Sequence, residues 1–193
     1  MVSKETAKKR GKPAPAELDQ SRLRDLALSY VARFATSSAK LEAYLIRKIR
    51  EKGAVEDLGP DTVRALVDRL VELGYVDDAA YARAKAGGLL RRGYGARRVD
   101  QALRGAGIAE DVRDEVRPDE AGARHAALAL VQKRRFGPYA VQPPDMAKRE
   151  KQIAAMIRAG HGFDTARALI EAGSIDEAEE WAMELDDDAF PMV

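Results

Sequence analysis

The side chains best suited to binding chemistry are cations that flank two glycine-containing turns. Two arginine pairs bracket Gly93-Tyr94-Gly95, and three cations directly precede Phe136-Gly137-Pro138. Cations beside an aromatic ring are the groups that contact phosphates and stack on bases in nucleic-acid-binding proteins. The predicted binding residues are Arg83, Lys85, Arg91, Arg92, Tyr94, Arg97, Arg98, Arg104, Lys133, Arg134 and Arg135. A phosphate backbone or an acidic protein groove would suit this surface, and ordinary solvated helix faces are the alternative for most single positions.

Catalytic and metal-binding chemistry has little support in the sequence. The chain has no cysteine, and its two histidines, His125 and His161, lack metal-ligand spacing. His161 is therefore interpreted as an ordinary loop residue near a helix end. Asp77 and Asp78 adjoin the predicted start of a helix, where an N-cap and a favourable dipole contact explain them better than a metal site does. No glycine-rich phosphate loop with a following Lys-Ser/Thr is present. We expect a binding protein without enzymatic activity, catalytic residues, metal or cofactor.

Helices must position these turns. Aromatic residues make up only 6% of the chain, which is dominated by Ala, Leu, Arg and Glu, so an all-α fold is predicted. Gly87 and Gly88 inside one helix are expected to mark close packing, with a hinge as the alternative, and Asp164 is expected to be an N-cap. Apolar periodicity and capping signals predict helices at about 23–34, 38–53, 60–73, 78–91, 96–105, 110–117, 119–136, 146–159 and 164–172.

An internal repeat organises the predicted helices. Leu45, Val99 and Ile153 are spaced by 54 residues, and each is followed four residues later by another aliphatic residue and then by a glycine. We therefore predict tandem three-helix repeats that form an elongated, curved, right-handed-type helical array. The predicted segments are a disordered basic arm at 1–20, repeats at 21–76, 77–117 and 118–173, and an acidic C-terminal tail at 174–193.

The net charge of +1 conceals a segregation of charge along the chain. The tail has eight acids and no Lys or Arg, so residues 1–173 carry a net charge of about +9. A basic body indicates a polyanionic partner, and we hypothesise that the acidic tail screens the basic face. Trp181 within the tail is expected in a partly buried terminal helix. No apolar run is long enough to span a membrane, and the first residues lack the apolar core of a secretory signal, so a cytoplasmic protein is expected.

The central motif is the string Gly74-Tyr75-Val76-Asp77-Asp78, followed by Tyr81-Ala82, Arg92-Gly93, Gly95 and Gly107-Ile108. This motif resembles the RecX regulatory family. The resemblance extends over about residues 21–173. Val76 and Tyr81 replace the commoner Leu and Phe of the family pattern. A long connector in the third repeat and the acidic tail also depart from it.

The resemblance implies a regulator of recombinational DNA repair and the SOS response. Members of the family bind the RecA nucleoprotein filament, inhibit its ATPase and strand-exchange activities, and bind DNA on their own. The implied partners are the RecA filament and single-stranded DNA, with duplex DNA left open, and the implied state is a monomer. A plain DNA-binding protein is the alternative, in which the predicted helix at 96–105 acts as the recognition helix of a helix-turn-helix.

Overall fold

The computed structural model describes residues 17–55 and 58–186. Within these residues the chain is all-helical, with a single isolated backbone bridge between Leu18 and Ala54 and no β-strand. No helix in this part of the chain is long and apolar enough to cross a membrane. The helices are α1 (Gln20–Val31), α2 (Ser38–Lys52), α3 (Pro60–Glu72), α4 (Asp78–Leu90), α5 (Ala96–Arg104), α6 (Glu110–Glu115), α7 (Glu120–Arg134), α8 (Met146–Arg158), α9 (Phe163–Glu171) and α10 (Ile175–Met183), with a 3-10 turn at Gly137–Tyr139.

The chain divides into two compact units between Val76 and Asp77. The first unit contains α1, α2 and α3, whose apolar faces enclose one core. That core is built from Leu23, Ala27, Leu41, Leu45, Val63, Val67, Leu70 and Val76. The side chains of Asp19 and Ser37 accept hydrogen bonds from the first turns of α1 and α2, so both helices begin at capped residues.

The second unit contains two further helix triples and the terminal helix. We refer to α1–α3, α4–α6 and α7–α9 as repeats 1, 2 and 3. Repeat 2 packs around Ala82, Val99 and Leu103, and repeat 3 around Val131, Met156 and Leu169. The Asp77 carboxylate accepts from the Ala80 N–H at 2.8 Å and caps α4, as predicted.

The spacing of 54 residues marks equivalent positions in the middle helix of each repeat. Leu45 in α2 and Val99 in α5 are buried, and Ile153 in α8 packs against the core of repeat 3. The glycine after each middle helix has positive φ, at Gly53, Gly107 and Gly160. The prediction of an all-α fold of three-helix repeats is therefore confirmed, whereas the exact repeat boundaries stay predictions.

The acidic helix α10 packs against α7. Ala178 and Ala182 are fully buried in the core of repeat 3. The guanidinium of Arg124 lies 4.3 Å from the centre of the Trp181 ring and donates to the Glu184 carboxylate at 2.8 Å. Trp181 is partly buried in a terminal helix, as expected from the sequence.

Three local predictions were wrong. A disordered arm was predicted to residue 20, but α1 begins at Gln20, and Leu18 is only 2% exposed because it belongs to the core of the first unit. The backbone of Leu18 also pairs with Gly53 and Val55. Residues 1–16 of that arm lie outside the described residues. The first helix was predicted to extend to about residue 34, but α1 ends at Val31 and the ring of Phe34 is exposed. The N-cap of α9 is Gly162 instead of Asp164, which lies in the first turn.

The glycine pair in α4 does not mark close packing at both positions. The helix is continuous, and a Cβ added at Gly88 would meet no atom within 4 Å. A Cβ at Gly93, by contrast, would lie 2.9 Å from the backbone of Leu130, and Gly93 has a φ of 84°. Of Gly88 and Gly93, Gly93 is the one that the fold requires.

Gly88→Ala is expected to raise the free energy of unfolding by about 0.5–1 kcal/mol, because alanine lowers the entropy of the unfolded chain and suits a helix. Gly93→Ala is the contrasting variant and should lower it by roughly 1–3 kcal/mol through overpacking. Urea unfolding followed by Trp181 fluorescence measures both. A loss of stability in Gly88→Ala would show that this position is packed.

Candidate nucleic-acid interface

The turn between α4 and α5 carries the central group of predicted binding residues. After Leu90 the chain reverses through Gly93, and the Tyr94 N–H donates to the Leu89 carbonyl at 3.1 Å. This 6→1 type of closure needs positive φ at the glycine, as at many helix ends. The turn leaves Arg91 and Arg92 exposed at the end of α4 and begins α5 directly after Gly95.

This α4–α5 turn is bonded to the α8–α9 turn of repeat 3. The Gly95 N–H donates to the Ala159 carbonyl at 2.9 Å, and the Arg97 N–H donates to the Gly160 carbonyl at 3.2 Å. A Cβ on Gly95 would lie 2.4 Å from Gly160, and a Cβ on Gly160 would lie 2.5 Å from the Arg98 nitrogen. The absence of side chains at both glycines therefore permits the backbones of repeats 2 and 3 to meet directly.

His161 adds a side chain to the same junction. Its imidazole is 3% exposed, and its Nε2 lies 3.0 Å from the Gly93 carbonyl oxygen. Because a carbonyl only accepts, Nε2 carries the proton and donates. Burial lowers the pKa of His161 below its ordinary value of 6.5, and the hydrogen bond to Gly93 opposes this shift. The sequence interpretation of His161 as an ordinary loop residue missed this role, since its partner is 68 residues away.

The junction brings four of the predicted residues to one cavity. Arg92 and Tyr94 come from the α4–α5 turn, and Lys133 and Arg134 come from the last turn of α7. The cavity has a volume of about 260 Å³. Its remaining lining residues are Leu130, Ala155, Arg158 and Ala159. We call this site the basic cavity. Sequence analysis did not single out Arg158, because it is one of several cations in α8.

The other predicted residues lie outside this lining. Arg104 donates to the Asp100 carboxylate at 3.0 Å, and Arg113 binds the second oxygen of the same carboxylate at 2.9 Å. Arg98 donates to the Gln101 side chain at 2.7 Å. Arg83 is exposed and Lys85 half-buried on α4, while Arg91 and Arg97 are exposed on either side of the turn. The structure thus brings four of the predicted binding residues together at the basic cavity and leaves the others dispersed over the surface.

Arg135 occupies an unusual backbone position next to the cavity residues of α7. Its φ and ψ are 53° and 50°, and it is the one non-glycine residue with positive φ in residues 17–55 and 58–186. Its N–H donates to Gln132, and the Phe136 N–H donates to Val131, which closes the helix end. A left-handed conformation costs a side-chain-bearing residue roughly 1–2 kcal/mol. The chain thus holds a cation in a backbone conformation that glycine would adopt at lower energetic cost.

A more voluminous groove lies between α8 and α9, but its charges are mixed. Its lining has both signs, with Arg149 and Arg167 beside Glu150 and Glu171. Arg167 already donates to Glu171 at 2.9 Å. Volume alone would favour this groove, whereas the uniform sign of the charges favours the basic cavity as an anion site.

Comparison with known proteins places this arrangement in a family. The family described as "RecX, second three-helix domain" matches residues 77–116, which include the α4–α5 turn. The regulatory protein RecX of Myxococcus xanthus is 32% identical over 173 residues, covering 86% of this chain and 92% of the relative. The chain belongs to the RecX family. RecX of Agrobacterium fabrum is similarly 32% identical over 161 residues, covering 81% of this chain and 85% of that relative.

Solved RecX structures share the fold. The crystal structure of RecX from Lactobacillus salivarius has a TM-score of 0.61 and 17% identity, and covers 86% of this chain and 96% of that chain. A second RecX crystal structure has a TM-score of 0.59 and covers 81% of this chain and 79% of that chain. The RecX relatives are named as regulatory proteins, and the chain is accordingly a member of a family of regulatory proteins.

The free energy of unfolding should decrease as the pH is lowered below about 6.5, because of His161. Its folded pKa is lowered, so the unfolded chain takes up a proton first as pH falls, and this proton uptake destabilises the fold until the folded pKa is reached. His161→Gln should remove this part of the pH dependence, whereas the exposed His125→Gln should not. Urea unfolding at several pH values, followed by Trp181 fluorescence, measures the difference. Equal pH slopes in wild type and His161→Gln would contradict the assignment.

Arg135→Gly is expected to raise the free energy of unfolding by about 0.5–1 kcal/mol, since relief of the left-handed strain exceeds the entropy cost of glycine. Arg135→Ala removes the same charge but keeps the strained backbone, so it should give no such gain. Thermal and urea unfolding distinguish the two variants. A destabilised glycine variant would mean that the guanidinium itself holds the helix end.

Proposed function

We propose that this RecX protein binds the RecA nucleoprotein filament and inhibits its ATPase and strand-exchange activities. The exposed cations of repeats 2 and 3 contact the DNA held in the filament. The observation that carries the proposal is the basic cavity, where Arg92, Lys133, Arg134 and Arg158 converge without a carboxylate in the lining. Membership of the RecX family supports a regulatory action, and the convergent cations support a polyanionic partner.

The clustering of the cations is explained better by binding to a partner than by a contribution to the stability of the fold. None of the four cavity cations forms an ion pair with another described residue, whereas Arg104, Arg113 and Arg124 do. Like charges held together repel each other, and this repulsion lowers the stability of the free protein. A phosphate backbone removes the repulsion and releases counterions as it binds. The charge pattern is thus explained by binding.

Binding to a filament needs no chemical step in the regulator. Several basic residues spread over α4, α5 and α7 provide multiple weak contacts with phosphates. Contacts to one filament act together, since each contact raises the effective concentration for the next. We infer that the protein impedes filament growth or DNA exchange by occupying the DNA and adjacent RecA surface.

The plain helix-turn-helix alternative is less well supported. In that function α5 would read bases through Arg97, Arg98, Gln101 and Arg104. The side chains of Arg98 and Gln101 bond to each other, and Arg104 bonds to Asp100. Base reading requires free donors and acceptors on one helix face, so these internal bonds would have to break on binding.

The test is the single-stranded-DNA-dependent ATPase of RecA with this protein added well below one copy per RecA. Wild type should inhibit, and the variant with Arg91, Arg92, Arg97 and Arg98 changed to alanine should need about tenfold more protein for the same inhibition, because several phosphate contacts are lost. The matched control changes Arg22, Arg64, Arg69 and Arg117, which are exposed and paired with acids.

Each result decides a separate point. Full inhibition by the control, together with weak inhibition by the variant that lacks Arg91, Arg92, Arg97 and Arg98, would support a DNA contact through the cations around the α4–α5 turn. Equal inhibition by both variants would assign inhibition to another surface. Wild type that binds DNA but leaves the RecA ATPase unchanged would overturn the filament proposal in favour of a plain DNA-binding protein.

A further inference from the structure

We propose that the basic cavity is a discrete site for single-stranded nucleic acid, which binds the phosphodiester backbone while an unpaired base stacks on Tyr94. This inference rests on the proposed DNA contact and assigns it to one place in the fold. It also adds Arg158, which lies in the cavity wall but was not among the residues predicted from the sequence.

The shape of the cavity suits a strand better than a duplex. Its wall comes from the α4–α5 turn, α7 and α8, and the small side chains of Ala155 and Ala159 leave room between the cations. A volume of about 260 Å³ accommodates part of one nucleotide, not a base-paired helix. Only an unpaired strand can place its backbone in the cavity and a base against the aromatic ring.

The charge of the cavity selects an anion. Arg92, Lys133, Arg134 and Arg158 provide four positive groups, and no Asp or Glu belongs to the lining. Two acids on neighbouring elements are engaged elsewhere: Asp100 binds Arg104 and Arg113, and Glu179 accepts from the Tyr139 hydroxyl at 2.8 Å. Guanidinium groups bind phosphate oxygens through paired hydrogen bonds, which matches the three arginines here.

Tyr94 distinguishes nucleic acid from other anionic ligands. Tyr94 packs against the core of repeat 2 and also lines the cavity beside the cations, so a base attached to a bound phosphate would meet the part of the ring that faces the cavity. Inorganic phosphate, a lipid headgroup or an acidic peptide would use the cations but would have no base to place on Tyr94. Base–aromatic stacking contributes enough to be measured as a large change in affinity.

The cavity is preorganised by the junction between repeats. The hydrogen bonds of Gly95 and Arg97 to the α8–α9 turn fix the wall that carries Tyr94 against the wall that carries Arg158. The imidazole of His161, in the α8–α9 turn, bonds to the Gly93 carbonyl and so joins the same two turns. Binding therefore needs little ordering of the backbone, which favours affinity.

The experiment measures binding of fluorescent oligothymidylate by anisotropy across a salt series, using the full chain. Arg134→Ala with Arg158→Ala should lower the magnitude of the slope of log K against log salt by about 1.4, since each phosphate contact contributes about 0.7. Tyr94→Leu should weaken binding by roughly 5- to 150-fold, whereas Tyr94→Phe keeps the ring and should bind like wild type. Arg149→Ala with Arg167→Ala, in the mixed-charge groove, is the charge-matched control and should leave the slope unchanged.

Competition identifies the ligand class. Unlabelled oligothymidylate should displace the probe, while a duplex, inorganic phosphate, phosphatidylglycerol vesicles and polyglutamate should compete much less at equal phosphate or carboxylate concentration. An unchanged salt slope in the double arginine variant, with Trp181 fluorescence showing a folded protein, would overturn the site. Equal competition by polyglutamate would overturn the nucleic-acid assignment.

The two proposals fail separately. If the cavity variants lose oligothymidylate binding but wild type never alters the RecA ATPase, the site stands and the filament function fails. If wild type inhibits RecA and the cavity variants keep the wild-type salt slope, the filament function stands and this site fails.

Discussion

Direct contact between two glycine-containing turns is the interaction on which the second unit depends. Gly95 and Gly160 approach so closely that a Cβ on either would overlap the other turn, and two backbone hydrogen bonds join the turns. His161 adds a third bond from a buried ring. Each bond contributes only about 1 kcal/mol net, but a buried group left without its partner would cost more. The junction therefore fixes repeats 2 and 3 in one arrangement, and the basic cavity exists only in that arrangement.

Helix α7 contributes residues to the basic cavity and also contacts the acidic helix α10. Towards α10, α7 presents Arg124 and His125, which bond to Glu184 and Asp186, and Tyr139 of the following turn bonds to Glu179. Glu179, Glu184 and Asp186 thus have partners of their own, and no described acid of the tail forms an ion pair with Lys133 or Arg134. These contacts do not support the hypothesis that the tail screens the basic face, although its last two acids lie outside the described residues. In the described part of the chain, the acidic helix stabilises repeat 3 and leaves the cavity cations unneutralised.

The sequence predicts the helices well because periodicity and capping are local. Asp77 caps its helix as expected, and the spacing of 54 residues finds the middle helix of each repeat. Tertiary placement is harder to predict: Ile157 matches the repeat pattern yet is 37% exposed, since α8 presents it to a groove instead of the core. The basic side chains were visible in the sequence, but their grouping was not. Arg158 joins Arg92 only through the contact between turns, and no local pattern encodes a contact between residues so far apart.

The corner between repeats 2 and 3 combines several features that oppose stability. Four cations line one small cavity, and Arg135 holds a backbone conformation that glycine adopts more easily. Chains retain such strain where the surrounding structure over-determines it, and it concentrates at functional sites. The glycines at this corner have the opposite character, because Gly93, Gly95 and Gly160 are required by the packing. Packing therefore explains the glycines and does not explain the cations or Arg135. The polyanion that we propose as the ligand would explain both, because it would neutralise the cavity and contact the cation held at the helix end.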